Sequence, residues 1–311
     1  MVLLKYILVK MFLIVNILYP WVLNLCRLIL TQVILPFVLA LIMFGMGLSL
    51  TKQDFLELGK EPKPVAVGLF GQLLVLPLLA FGIAIFFELS EHLAVGIMIL
   101  AACPGGISSN ILSQLARANL ALSVSLTAVT TLICVVTTPL IIRFAIEQFN
   151  DSPGESFSLL STTIGLIFMT LIPVLLGILI RHKFAALAIR SEAFFRHLST
   201  AFLVFMIIAI TYQERTTLLT SFVLLSEAVI SLNLLAIGTG LLLGLMFKLV
   251  KQDTVTLGIE VGVQNSSMAM LIAITFLDRP DYAITAGVYG LAMYLGAGLL
   301  IFGAKHGPTK S

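Results

Sequence analysis

Charged side chains are scarce in these 311 residues: Asp, Glu, Lys and Arg make up 11% of the chain, against 59% apolar residues. A soluble domain carries roughly a quarter charged residues. Too few are present to wet a globule of 33.7 kDa, and the mean hydropathy is +1.13, so a water-soluble enzyme is excluded. Cysteine is equally sparse. Cys26, Cys103 and Cys134 lie far apart inside apolar runs, which excludes a disulfide framework and a thiolate metal cluster. Basic stripes with interleaved aromatics are missing, so the net charge of +3 gives no indication of nucleic acid. Also missing are His-Glu-x-x-His, Gly-x-Ser-x-Gly and paired aspartates, the usual marks of an intramembrane hydrolase. His92, His182, His197 and His306 fall at helix ends or loops without metal spacing.

What the chain has instead is a series of long runs without charge. Each compares with the roughly 20 apolar residues that cross a bilayer, and only helices of that length satisfy their backbone in lipid. Ten spans are expected, near 11–26, 33–50, 64–87, 92–116, 118–142, 156–180, 197–213, 216–247, 254–277 and 282–304. The first is read as a retained helix, since Lys10 interrupts its apolar run and no small-residue cleavage site follows. With the N-terminus in the cytoplasm, fourteen of the 18 Lys and Arg face inward, and only Arg27, Arg143, Arg215 and Arg279 face outward. That asymmetry is what the positive-inside rule requires. It predicts a multi-pass protein of the inner (plasma) membrane with both termini cytoplasmic. The basic segment from Arg181 to His197 suits the anionic inner leaflet, and Gly240 with Gly244 reads as a helix-packing face.

A polar loop from Asn150 to Glu155, with Asp151, Pro153 and Gly154, divides the spans five and five. Five is odd, so the second half enters the membrane inverted. The fourth span of each half is interrupted. In the first half the run from Cys103 through Pro104, Gly105 and Gly106 to Asn110 should break the helix, because proline lacks a donor and glycine lacks a Cβ restraint. In the second half the run from Glu260 to Ser267 holds a carboxylate and two amides near mid-span. A packing kink explains either break singly. Paired breaks at matching positions indicate a transporter's midplane site, where unwound carbonyls bind a cation and half-helix N-termini face an anion.

Glu260 has no other charge between Asp253 and Asp278. An ionised carboxylate inside the membrane needs a counter-charge, and no Lys or Arg stands nearby in sequence. A mobile proton or metal cation must supply it. Ser108, Ser109, Asn110, Ser113, Gln264, Asn265 and Ser266 crowd the two breaks with hydroxyl and amide groups, and hard oxygen ligands favour sodium over transition metals.

From about Ile42 onward the chain resembles the bile acid:sodium symporters. Three stretches carry the resemblance: Met43 to Leu50; Cys103-Pro104-Gly105-Gly106 through Ser109-Asn110 to Ala116-Arg117-Ala118-Asn119 and Ser123; and Ile259 to Ser266. The resemblance implies an all-α polytopic membrane protein of ten helices in two inverted five-helix repeats, with broken helices 4 and 9 crossing near the midplane. It implies a panel of helices 1, 2, 6 and 7 (about 3–50 and 156–213) and a core of helices 3–5 and 8–10 (about 64–149 and 216–304). It implies two sodium ions. Ser109, Asn110, Ser123, Thr127 and Glu260 would hold one, with Ser123 and Thr127 a turn apart on one helix face. Gln72 and Glu260, with backbone oxygens around Val261, Val263 and Gln264, would hold the other. Ser108, Asn265, Ser266 and Met293 would meet the substrate. Ile107 stands where threonine is usual, and Ala292-Met293-Tyr294 where bacterial members carry Trp-His-Asn, so the cargo is expected to be an organic anion, either bile acid-like or a small carboxylate. The expected activity is sodium-coupled import by alternating access, with bilayer, sodium and anion as partners. Arsenite efflux through Cys103, proton-coupled anion transport and a sensor built on the same fold are the alternatives. Glu227 is read as an exposed or cavity-lining carboxylate.

Overall fold

The computed structural model describes residues 29–51, 59, 62–149 and 158–306. The expected first span, 11–26, and the expected mid-chain loop lie outside them. Among the described residues all regular structure is helical. Among the same residues eight helices are long and apolar enough to cross a membrane, and a ninth if one bent pair forms a single span. In chain order they are α1 (Leu30–Ser49), α2 (Pro62–Phe86), the pair α3 (Glu91–Ala102) and α4 (Ile107–Leu115), α5 (Leu120–Phe149), α6 (Leu159–Lys183), α7 (Ala185–Gln213) and α8 (Arg215–Met246). The last two spans are α9 (Lys251–Gly262), continued beyond a break by α10 (Ser266–Leu271), and α11 (Ala283–His306).

Prolines shape the long helices. Pro36, Pro77 and Pro173 each stand one residue beyond a π turn, after Leu30–Ile34, Gly71–Val75 and Ile167–Leu171. A ring that would strike the preceding turn and cannot donate its hydrogen bond is accommodated by one wider turn upstream. The turn in α2 carries Gln72, which matters below.

Both interruptions are present and shorter than the polar runs that announce them. The helix stops at Cys103, resumes at Ile107 and bends by 67° between, so Ser108, Ser109 and Asn110 lie in the first turn of α4 rather than in the break. The second break covers residues 263–265, placing Glu260 in the last turn of α9 and Ser266 and Ser267 in the first of α10. Val263 is extended, and Asn265 caps α10 by accepting from Met268 N–H at 3.0 Å. The two breaks touch, since Asn265 N–H donates to the Pro104 carbonyl at 3.0 Å.

The interrupted helices sit at the centre. In the span Lys251–Phe276, 94% of the apolar window is buried, against 28% in α6 and in α7. Helices α1, α6 and α7 pack against one another at the periphery. Gly240 and Gly244 let α8 approach the α9 backbone: a Cβ on Gly240 would strike the Leu257 carbonyl, and one on Gly244 would lie 2.7 Å from the Thr254 side chain. The expected packing face is therefore real. Four non-glycine residues, Glu88, Arg117, Lys248 and Asp278, adopt left-handed backbone, each just beyond the end of a helix, where such a residue closes the last turn.

Candidate functional site

Four polar side chains surround the Glu260 carboxylate where the two breaks meet. Ser123 Oγ donates to Oε1 at 2.5 Å and Thr127 Oγ1 to Oε2 at 3.0 Å. Ser123 Oγ also lies 2.9 Å from Asn110 Oδ1, and Ser109 Oγ lies 3.4 Å from Thr127 Oγ1. These residues come from α4, α5 and α9, so one helical turn on α5 and one break on each side of it gather five sequence-distant groups. All are buried except Asn110, which is half-buried. Gly105 is required by this crowding: a Cβ there would stand 2.9 Å from Glu260 Oε2 and 3.3 Å from both hydroxyls.

Among the described residues Glu260 has no positive partner. The ion pairs among the described residues join Arg143 to Glu147 and Arg279 to Glu91 and Asp281, all remote in the chain from the carboxylate. No group of three or more His, Cys, Asp or Glu capable of holding a metal occurs among the described residues. One carboxylate with hydroxyl and amide oxygens matches a hard monovalent cation, whereas divalent and soft metals call for more anionic or softer donors.

A second set of buried polar groups comes from α2 and from the second break. Gln72 is 2% exposed, yet neither its Oε1 nor its Nε2 has a partner among the described residues. Its neighbour Gly71 packs against α9, where a Cβ would lie 3.1 Å from Val261. Gln264 Nε2 donates to the carbonyls of Glu260 (3.2 Å) and Val261 (3.0 Å), while its Oε1 has no partner among the described residues. No donor among the described residues reaches the Val263 carbonyl. Buried polar atoms left without partners are uncommon, and Gln72 and Gln264 both carry them.

The residues expected to meet substrate are less uniform. Ser108 Oγ lies 3.1 Å from the hydroxyl of Tyr294. Asn265 is half-buried, its carbonyl oxygen spent on the α10 cap. Ser266 Oγ is buried without a partner among the described residues. Met293 is 1% exposed while its neighbour Tyr294 is exposed, so the tyrosine presents the reachable polar atom on α11. Cys103 is fully buried at the start of the first break, and Glu227 is exposed on α8. Sequence reading leaves out Asn233 and Tyr289, both buried and both bonded to the Gly262 carbonyl. The signal was present for the first, the single asparagine of a 32-residue apolar helix.

Two interruptions in contact, a buried carboxylate with no counter-charge among the described residues and a helical bundle of bilayer length fit a polytopic membrane transporter rather than an enzyme. The chain belongs to the Sodium Bile acid symporter family, whose model matches residues 36–221. It is 35% identical over 267 residues to an uncharacterized sodium-dependent transporter of Bacillus subtilis (strain 168), YocS, covering 84% of this chain and 80% of the relative. A probable sodium/metabolite cotransporter of rice (Oryza sativa subsp. japonica) chloroplasts is 28% identical over 270 residues, 86% of this chain and 63% of the relative. The human ileal sodium/bile acid cotransporter is 33% identical over 151 residues, 48% of this chain and 43% of the relative. Sodium-coupled transport is thus the common property of the group.

Proposed function

We propose that this protein imports an organic anion together with two sodium ions by alternating access in the plasma membrane. The observation that carries the proposal is the convergence of Ser109, Asn110, Ser123 and Thr127 on the buried Glu260 carboxylate. The hydroxyls now hydrogen-bonded to the carboxylate are the groups that would turn their lone pairs to a first sodium. The second sodium would take Gln72, Glu260 and the oxygens of Val261, Val263 and Gln264, where partnerless buried atoms cluster. Two sodium ions and one monoanion together balance the Glu260 charge, so the loaded core would cross between its two exposures without an uncompensated charge.

Ten spans in two inverted halves form the scaffold of this reading, the first span lying outside the described residues. Several pairs of features support the repeat. Glu88 and Lys248 close the third span of their halves, Arg117 and Asp278 the fourth, all four with left-handed backbone. The two basic residues would face inward and the two acidic ones outward, as inversion requires. The starts of the broken spans are tied reciprocally: Glu91 of α3 accepts from Tyr282 Oη–H at 2.9 Å, before α11, and Asp253 of α9 accepts from Asn119 Nδ2 at 2.8 Å, before α5. The peripheral helices α1, α6 and α7, with the first span, would be the panel, and α2–α5 with α8–α11 the core.

The anion would lie against Ser108, Asn265, Ser266 and the α11 face bearing Met293, at the N-termini of the second half-helices, where amide groups and the helix dipole favour negative charge. Tyr294 beside Ser108 makes that pocket phenolic, which suits a small carboxylate as well as a bile acid-like anion. Sodium-driven uptake by proteoliposomes, with thermal shift of a panel of organic anions in sodium and in potassium, tests the proposal. Stabilisation by one anion class in sodium alone is expected. Uptake that needs no sodium and follows a pH gradient would replace sodium by a proton, and arsenite efflux lost with Cys103 would replace the reading altogether.

A further inference from the structure

The second break is gripped by two side chains that the sodium ligand set does not include. Helix α9 ends at Gly262, and its carbonyl accepts from Asn233 Nδ2 of α8 at 2.8 Å and from Tyr289 Oη–H of α11 at 2.8 Å. The two donors lie 3.3 Å apart and are 2% and 0% exposed. Neither touches the Glu260 carboxylate. Asn233 stands at one end of the row formed with Ile237, Gly240 and Gly244, along which α8 is packed on α9 and Gly262, so the donor is delivered by a rigid helix rather than by a loop.

Neighbouring carbonyls are treated differently. Those of Glu260 and Val261 share the single amide of Gln264, and that of Val263 has no donor among the described residues. Gly262, between them, has both acceptor positions filled. Two donors fix the plane of the Gly262–Val263 peptide, from which the extended Val263 directs its own carbonyl. The first break carries a parallel contact: α3 ends at Ala102, whose carbonyl accepts from Thr138 Oγ1 of α5 at 2.6 Å. Thr138 and Tyr289 each belong to the span that follows the broken one.

We infer that Asn233 and Tyr289 are positioning residues for the second sodium ion. By filling the Gly262 carbonyl they withhold it from the ion, and they hold the Val261 and Val263 carbonyls at the angle that coordination needs. The inference rests on the sodium reading above, and it separates the two ions: the clamp tunes the second and leaves the carboxylate site of the first intact.

The test compares wild type, Tyr289→Phe, Asn233→Leu and the double variant, as full-length protein. Thermal stabilisation by sodium chloride is titrated in detergent against potassium chloride at constant ionic strength, and sodium-dependent uptake is measured in proteoliposomes. Tyr289→Phe deletes one oxygen and leaves Gly262 its second donor, so the fold stands. Its sodium half-saturation should rise about fivefold, the equivalent of one ordinary hydrogen bond, with the Hill coefficient falling toward one and the maximal rate at saturating sodium retained. Asn233→Leu should do the same, and the double variant should exceed either. Unchanged half-saturation and Hill coefficient with only a lower sodium-free melting temperature would overturn the clamp and leave the two residues as packing groups. A wild-type protein stabilised no more by sodium than by potassium would overturn the sodium reading and the clamp with it.

Discussion

Replacing Glu260 by glutamine keeps the side chain's shape and removes its charge, which isolates the electrostatic part of the site. The carboxylate is 1% exposed and accepts from Ser123 at 2.5 Å and Thr127 at 3.0 Å. In Glu260→Gln the amide oxygen keeps one of these bonds, and Thr127 can turn to accept from the new NH2 group. The fold should therefore persist. The sodium-free protein should melt at the wild-type temperature or above it, because a buried anion with no positive partner no longer has to be held in an apolar interior. Sodium loses a charged contact worth about 1.5 to 3 kcal/mol, and at about 1.4 kcal/mol per decade this raises the half-saturation by roughly 10- to 150-fold. The assay is the sodium-induced shift in melting temperature in detergent, titrated against potassium. A variant that keeps the wild-type half-saturation, or one whose sodium-free melting temperature drops by many degrees, refutes the assignment of Glu260 as an unpaired cation ligand.

With two sodium ions and one monoanion per cycle, uptake is electrogenic and gains about 2.3 kcal/mol per 100 mV. Valinomycin-set potentials in vesicles should accelerate it, and indifference to potential with a monoanionic cargo would exclude that stoichiometry. Cys103 is a buried small hydrophobe in this structure, so Cys103→Ala should keep most sodium-dependent uptake, while complete loss at normal expression would make the thiol a ligand. Gly105→Ala places a methyl group 2.9 Å from Glu260 Oε2, so it should abolish sodium stabilisation in protein that still folds; retention of wild-type affinity would show that the first cation does not need that space.

Much of the site is legible because the sequence marks it by contrast. Pro104 with two glycines interrupts an apolar run, and a lone carboxylate interrupts another, so both breaks and Glu260 stand out. Their exact edges do not. Ser108 to Asn110 are helical because the chain resumes its turn at Ile107, as soon as the second glycine is passed, and no residue type announces that point. Tyr289 is illegible for a different reason, and Asn233 stands out only as the lone asparagine of α8: their acceptor is a backbone carbonyl, which every residue has, and only the folded chain brings it to them. Adjacent positions on α11 likewise differ by about 100° of rotation, so Met293 is enclosed while Tyr294 reaches Ser108. The π turns before Pro36, Pro77 and Pro173 follow from proline chemistry, yet that the turn before Pro77 lies against Val261 of α9 requires the packing of α2 on α9.

The meeting of the two breaks has a consequence for biogenesis. The carbonyl of Pro104 finds its donor in Asn265, Glu91 finds Tyr282, and Asn119 finds Asp253, so each half leaves bonds that only the other completes. At about 5 to 20 residues per second of synthesis, Asn265 follows Pro104 by roughly 10 to 30 s. Throughout that interval the Pro104 carbonyl lacks the donor it has in the folded chain. Each half is thus a folding chaperone for the other, and the order of synthesis makes the N-terminal half the one that waits.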